Sequence, residues 1–385
     1  YFKYSDFLIE NVNSALSTNV PMLDLALPLA ISFFTFQQIA YLVDSYRRET
    51  KEYDFLNYAI FVTFFPQLIA GPIVHHKEMM PQFANIRTKL INYKNIALGL
   101  FIFSIGLFKK VVIADSFSVW ANAGFDTATT LNLFEAWATS LSYTFQLYFD
   151  FSGYTDMAIG LALLFNIKLP INFNSPYKAT NIQDFWRRWH ITLSRFLRDY
   201  IYIPLGGNRK GSFRTYTNLM ATFILGGIWH GAGWTFVFWG VLHGLALVIH
   251  RLWSQLGIKL WTWLAWFITF NFINISWVFF RAKEWEDALK VLGAMFSLEN
   301  IVLPNALHSR YQFMSQYEFV ANIGGDGKVI IFLPAIFGIV LFVKNLAGNI
   351  NALKLNYKTA LLSGLAFSFG VLFINKASEF LYFNF

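Results

Sequence analysis

The chain is laid out as apolar runs long enough to cross a bilayer, joined by short polar connections that collect the lysines and arginines. A hydrocarbon core takes roughly 20 apolar residues per helix. About ten stretches meet or approach that length: 24–42, 55–74, 96–119, 133–149, 154–167, 217–229, 234–249, 261–280, 329–343 and 360–374. The pattern predicts one all-α polytopic membrane bundle over 1–385 rather than two soluble domains. Only 14% of the residues are charged, against about 25% in soluble domains. Tyr53, Trp120, Tyr177, Trp253 and Trp261 fall at span ends, where aromatic rings sit at the membrane interface.

The net charge of +8 does not form a nucleic-acid footprint. Its basic residues gather between spans, at Arg47–Lys51, Lys109–Lys110, Arg187–Arg198 and Arg209–Arg214, which reads as topology signalling. That rule places 178–214 on the cytoplasmic side. Cysteine is absent, which excludes disulfides, thiolate metal sites and an acyl-cysteine intermediate. Tyr1 rather than methionine opens the chain and no signal peptide is visible, as expected of a piece of a longer protein. No internal repeat is evident, which weighs against an inverted-repeat transporter. The polar connection 297–328, with Pro304, Gly324 and Gly325, is expected as an extramembrane loop. Its GGDGK run lacks the spacing and hydroxyl of a P-loop, so it carries no nucleotide role.

Between the spans, 182–200 (IQDFWRRWHITLSRFLRDY) repeats its apolar residues at i, i+3, i+4 and i+7, the signature of an amphipathic helix. Asp184, Arg187, Arg188, Arg195, Arg198 and Asp199 occupy the other face. His190 lies on the border, about 80° from the stripe's centre at about 100° per residue. The segment is expected to lie in the interface, either as a structural element or as a docking face for an anionic donor or acidic carrier.

Seven histidines are present. His75 and His76 are adjacent, so on a helix they point about 100° apart and cannot share an ion in the usual geometry. His243 and His250 share a face but stand about 10 Å apart. His250 precedes Arg251 at a span end, and His308 lies in a loop. No metal site is expected. His230 differs: it sits in GGIWHGAGW (226–234), at membrane depth, where an ionisable residue is a functional candidate by default. Gly226, Gly227, Gly231 and Gly233 weaken the helix there, and irregular backbone in a membrane survives only where protein or a cavity surrounds it. A neutral imidazole in such a place can act as general base or nucleophile. The alternative is a ring that merely hydrogen-bonds a neighbouring helix.

The stretch TFILGGIWHGAGWTFVFWGVLHG (222–244) resembles the histidine signature of the membrane-bound O-acyltransferases, in their bacterial polysaccharide and alginate O-acetyltransferase branch. SFFTFQQIAYLVDSYR (32–47), FFPQLIAGPIVHHKEMMPQF (64–83), YFDFSGYTDMAIGLALLFNI (148–167) and NFNSPYKATNIQDFWRRWHITLSRFLRDYIYIPLGGNRKG (172–211) match in the same order. The resemblance implies a bundle with interfacial or re-entrant helices around a central tunnel or funnel. It implies His230 and His190 as the catalytic residues, and leaves the cofactor-binding residues unknown. It implies acetyl transfer from a cytoplasmic donor, acetyl-CoA, with no permanently bound cofactor, for O-acetylation of an exported or cell-surface polysaccharide. A separate extracytoplasmic acetyltransferase is the implied partner, and the bacterial inner membrane the implied location. The family's pattern begins with two or three further helices before 32–47, so this chain is expected to lack them. Two other readings stay open: D-alanyl transfer to teichoic acid from a carrier protein, whose enzymes share the FWRRWH block, and a non-catalytic transporter.

Overall fold

The computed structural model describes residues 1–28, 30–50, 54–68, 71–298, 321–324, 328–343, 345, 350, 353–374 and 381, and among them every regular element is helical. In chain order, α1 (Ser5–Leu16), α2 (Ile31–Tyr46), α3 (Phe55–Thr63), α4 (Phe65–Leu68) and α5 (His76–Ala84) lead to α6 (Tyr93–Leu107). α6 continues through a π-helical turn (Phe108–Ala114) into α7 (Asp115–Asn122) and a second π turn (Ala123–Thr127). Next come α8 (Leu133–Leu164), the short α9 (Ile182–Trp186) and α10 (Ile191–Leu197), and a third π turn (Arg198–Tyr202). The remainder is α11 (Gly211–His230), α12 (Trp234–Gln255), α13 (Thr262–Arg281), α14 (Trp285–Phe296), α15 (Lys328–Phe342) and α16 (Tyr357–Phe373). The continuous helix Tyr93–Thr127, α12 and α13 are long and apolar enough to cross a membrane.

The stretches 217–229, 234–249, 261–280, 329–343 and 360–374 fold as the helices α11, α12, α13, α15 and α16, and of these α12 and α13 have the length and apolarity of spans. Those at 133–149 and 154–167 do not appear separately. They are one 32-residue helix, α8, roughly 48 Å long, started by a capping box between Asn132 and Glu135. Asp150, Gly153 and Asp156 interrupt the apolar pattern, but each is answered by the antiparallel partner helix. Lys110 bridges Asp150 at 2.8 Å and Asp115 at 2.6 Å, and Lys109 pairs with Asp156 at 2.6 Å. The glycines pair as well. A Cβ on Gly99 or on Gly160 would lie 2.6 Å from the other's carbonyl oxygen, and Gly106 and Gly153 meet in the same way at 2.7 and 2.8 Å. Gly99 and Gly106 are two turns apart, as are Gly153 and Gly160. Together they let two backbones touch along the seam, the close approach that small residues permit between membrane helices.

Two further expectations need correction. The run 55–74 is not one span: it is α3, the single turn α4 and a buried extended stretch at 71–74. Ile73 there donates its backbone N–H to Thr192 Oγ1 at 3.0 Å. Nor is 182–200 one amphipathic helix. It breaks at His190, whose backbone takes the left-handed conformation (φ 42°, ψ 55°). The break is held from outside: Asn174 N–H donates to the Arg188 carbonyl at 2.9 Å and Ile191 N–H to the Asn172 carbonyl at 3.0 Å. The expected loop 297–328 lies largely outside the described residues, and His308 entirely so.

Candidate active site

The GGIWHGAGW stretch folds as the tip of a helical hairpin. α11 ends at His230, Gly231 and Gly233 are extended (φ −160° and −162°), and α12 starts at Trp234. Of the four glycines, two are sterically required. A Cβ on Gly227 would lie 2.4 Å from the Phe236 carbonyl oxygen, and one on Gly231 would lie 2.2 Å from the Phe236 ring. Gly240 on α12 is the reciprocal contact, with its Cβ position 2.4 Å from the Phe223 carbonyl. Gly226 and Gly233 would meet only ordinary contacts at 3.4 and 3.6 Å.

This hairpin buries His230, which is 4% exposed. Its ring packs on Trp229 (centroids 4.8 Å apart), Trp239 (5.0 Å) and Phe280 (5.0 Å), so α11, α12 and α13 all wall it. His190 is fully buried and sits edge-on to Phe151 at 4.7 Å. It too packs on Trp229, at 6.3 Å. The fold thus brings the two expected histidines to the same tryptophan although 40 residues separate them. Asn172 orients His190: its Oδ1 lies 3.1 Å from His190 Nδ1 and accepts from Thr192 N–H (3.2 Å) and Oγ1 (2.9 Å). With an oxygen acceptor there, the Nδ1 tautomer carries the proton. A non-glycine residue in the left-handed region is costly and is retained where the surroundings hold it, as Asn172 and Asn174 do here.

Sequence reasoning missed three participants. His243 is fully buried, accepts from the Trp186 indole at 3.2 Å and meets Ser276 Oγ at 3.1 Å. It lies 4.6 Å from the Trp239 ring that also covers His230. Trp239 itself links the two. The third is Lys3. The last carbonyls of a helix lack internal partners, and at α11 they are met by the chain's opening residues. Lys3 Nζ donates to the carbonyls of Trp229 (2.6 Å) and His230 (3.0 Å) and to Ser32 Oγ (3.1 Å), while Tyr4 Oη donates to the Ile228 carbonyl (3.0 Å). On the far side of the break Trp234 donates to Asn11 Oδ1 at 3.0 Å. The opening segment therefore splints both ends of the histidine break. Burial lowers the Lys3 ammonium to about 8. No local pattern marks a lysine that works across 226 positions.

A cavity of about 710 Å³ opens beside α9, α10, α11 and α12, within the range of small-molecule sites; its walls include Trp186, Arg187, Arg198, Phe223 and Arg251. Its inner wall approaches the histidine: Trp186 packs on Trp239 at 5.8 Å, and Trp239 packs on His230. Arg195 pairs with Glu78 and Arg198 with Asp199. Arg187 and Arg251 form no ion pair among the described residues.

One group among the described residues has the makeup of a metal site: Asp44, His75 and His76. Adjacency does not keep these two rings apart, because His75 is the extended N-cap of α5 (φ −105°, ψ 139°) and lies outside the helical spacing. Both Nε2 atoms reach Asp44 Oδ2, at 2.7 and 2.9 Å. His75 Nδ1 accepts the Lys77 backbone N–H at 3.2 Å, so a neutral ring carries its proton on Nε2 and donates it, as a hydrogen-bonding group rather than a ligand. The Lys77 ammonium, 3.9 Å from the same oxygen, also disfavours a cation. The cluster ties α2 to α5.

The model of the membrane-bound O-acyltransferase family matches residues 17–283. A peptidoglycan O-acetyltransferase of Helicobacter pylori is 51% identical, over all of this chain and 80% of its own length. A probable alginate O-acetylase of Pseudomonas aeruginosa is 44% identical over 77% of this chain and 58% of its own. A teichoic acid D-alanyltransferase of Streptococcus thermophilus is 29% identical over 66% of this chain and 68% of its own. The chain therefore spans four fifths of the first relative and less than two thirds of the second.

Proposed function

The chain belongs to the membrane-bound O-acyltransferase family, and on that premise we propose that it moves acetyl groups from a cytoplasmic thioester, acetyl-CoA, toward the hydroxyls of a cell-wall or exported polysaccharide at the bacterial inner membrane. The observation that carries this reading is the placement of His230. It is a buried imidazole at a forced helix break, walled by aromatic rings, with a basic cavity on the far side of Trp239 and Trp186. Arg187 and Arg251, without carboxylate partners, suit the phosphates of a coenzyme A head group. His230 takes the proton of the acceptor hydroxyl, and His190, oriented by Asn172, packs on the same Trp229 ring. The acceptor is an extracytoplasmic partner acetyltransferase or the polysaccharide itself.

The identity to a peptidoglycan O-acetyltransferase favours acetyl cargo over D-alanine. Purified protein with labelled acetyl-CoA, or with carrier-bound labelled D-alanine, separates the two. Positioned acid–base help is worth about 10²- to 10⁴-fold, so His230→Ala is expected to lose nearly all acetyl transfer while folding normally. Near wild-type transfer by that variant refutes the assignment, and transport without acyl product refutes the enzyme.

A further inference from the structure

We propose that the indole N–H groups of Trp229, Trp239 and Trp277 form an oxyanion-binding wall beside His230, receiving the carbonyl oxygen of the acyl group in transfer. The inference rests on the acyl-transfer reading of His230 and adds the groups that stabilise its transition state.

Five other tryptophans have an acceptor for the indole N–H. Trp137 donates to the Met295 carbonyl (2.9 Å), Trp186 to His243 Nδ1 (3.2 Å), Trp234 to Asn11 Oδ1 (3.0 Å), Trp253 to the Ile258 carbonyl (3.0 Å) and Trp266 to the Tyr177 carbonyl (2.9 Å). The buried indole nitrogens of Trp229, Trp239 and Trp277 have no acceptor among the described residues. The three residues are 9%, 1% and 1% exposed. A buried donor left unpaired costs more than a made hydrogen bond returns, and such groups in a native structure call for a specific reason.

These three are not scattered. Trp229 and Trp239 pack directly on the His230 ring, at 4.8 and 5.0 Å. Trp277 stacks on Trp239 at 5.8 Å with planes 17° apart, and it abuts Phe280, which also packs on His230. They come from α11, α12 and α13, the elements that wall the histidine.

Indole is a donor only: it accepts nothing and does not titrate in this range. Its fitting partner is an electron-rich oxygen. In the transfer, the acceptor hydroxyl oxygen bonds to the thioester carbonyl carbon while His230 takes the hydroxyl proton, and the C=O π pair moves onto the carbonyl oxygen. Collapse restores the carbonyl and breaks the C–S bond. The sulfur leaves with that pair and takes the proton from His230, giving ester and thiol with no net redox change. Fixed donors in a water-poor site act where the charge develops and need no reorganisation to do so.

The test replaces each of the three tryptophans in the full chain, one at a time, by benzothienylalanine, in which sulfur takes the place of N–H and the ring shape is kept. Trp266, whose indole serves the Tyr177 carbonyl, is the control position. The expected result at Trp239 is a fall in kcat of about 10²- to 10³-fold, the size seen on removing one oxyanion donor, with the acetyl-CoA KM unchanged. Trp229 and Trp277 are expected to fall in the same direction. Undiminished kcat at all three positions overturns the proposal, as does a loss no greater than that at Trp266. Activity surviving in His230→Ala is a different failure, because it removes the acyl-transfer reading itself.

Discussion

Gly227→Ala tests whether the site depends on the close approach of α11 and α12. The added Cβ would lie 2.4 Å from the Phe236 carbonyl oxygen and 3.2 Å from Gly240 Cα. Both are main-chain atoms, so no side-chain rotation relieves the clash, and the hairpin must open by about 1 Å to restore ordinary contact. Overpacking of this kind costs about 1–3 kcal/mol, partly offset by about 1 kcal/mol from replacing glycine in a helix. The variant is therefore expected to fold. Activity is another matter, because His230 lies three residues further along α11 and packs on Trp239 of α12. A misplacement of about 1 Å in a reacting group costs roughly 10²-fold in rate. Gly226→Ala is the internal control: its Cβ meets only Leu197 Cδ1 at 3.4 Å, so it is expected to retain most activity. The assay is labelled acetyl transfer by purified protein, with thermal unfolding in the same detergent. Equal activity of the two alanine variants would refute the reasoning.

Lys3→Met removes the donor to two carbonyls at the end of α11 and to Ser32 Oγ on α2, and is expected to lower kcat about 10-fold, a loss of roughly one charged hydrogen bond, with Lys3→Arg recovering part of it. Because burial lowers the Lys3 ammonium to about 8, wild-type kcat is expected to decline as pH rises through about 8, where the amine keeps two donors for three acceptors. Tyr4 and His230 are the titratable groups beside it, and an alkaline limb unmoved in Lys3→Arg, which stays charged, counts against Lys3 as its source. Lys110→Met leaves the buried carboxylates of Asp115 and Asp150 without their shared cation. It is expected to cost about 3–5 kcal/mol, read as a lowered unfolding temperature that adding Asp115→Asn and Asp150→Asn largely restores.

What could be read from the chain alone follows from how far each determinant lies from its effect. Apolar runs and the glycine-flanked histidine are local patterns, and they led to α11, α12, α13, α15, α16 and the break at His230. The continuity of α8 is not local. Asp150 reads as an interruption until Lys110, 40 residues earlier, answers it. The break inside 182–200 runs against a good amphipathic pattern, because Asn172 and Asn174 bond to the backbone on either side of His190. His75 and His76 converge on one carboxylate because a helix start, which residue spacing does not disclose, releases the first from helical geometry.

The site combines both kinds of determinant, and the combination explains its form. The histidine and its glycines are adjacent in sequence, because a helix break is a local event. The groups that hold the break open come from elsewhere: Lys3 and Tyr4 from the opening segment, Phe236 and Trp239 from α12, Phe280 from α13. The carbonyls freed at 228–230 lack intrahelical partners, so a break there needs donors, and these come from another part of the chain. A lysine reaching the carbonyls of Trp229 and His230 meets that need and fixes the backbone that carries the imidazole. The same hairpin carries Trp229 and Trp239, whose buried indoles pack on the imidazole, so the helix break and two donors of the proposed oxyanion wall arise from one piece of backbone.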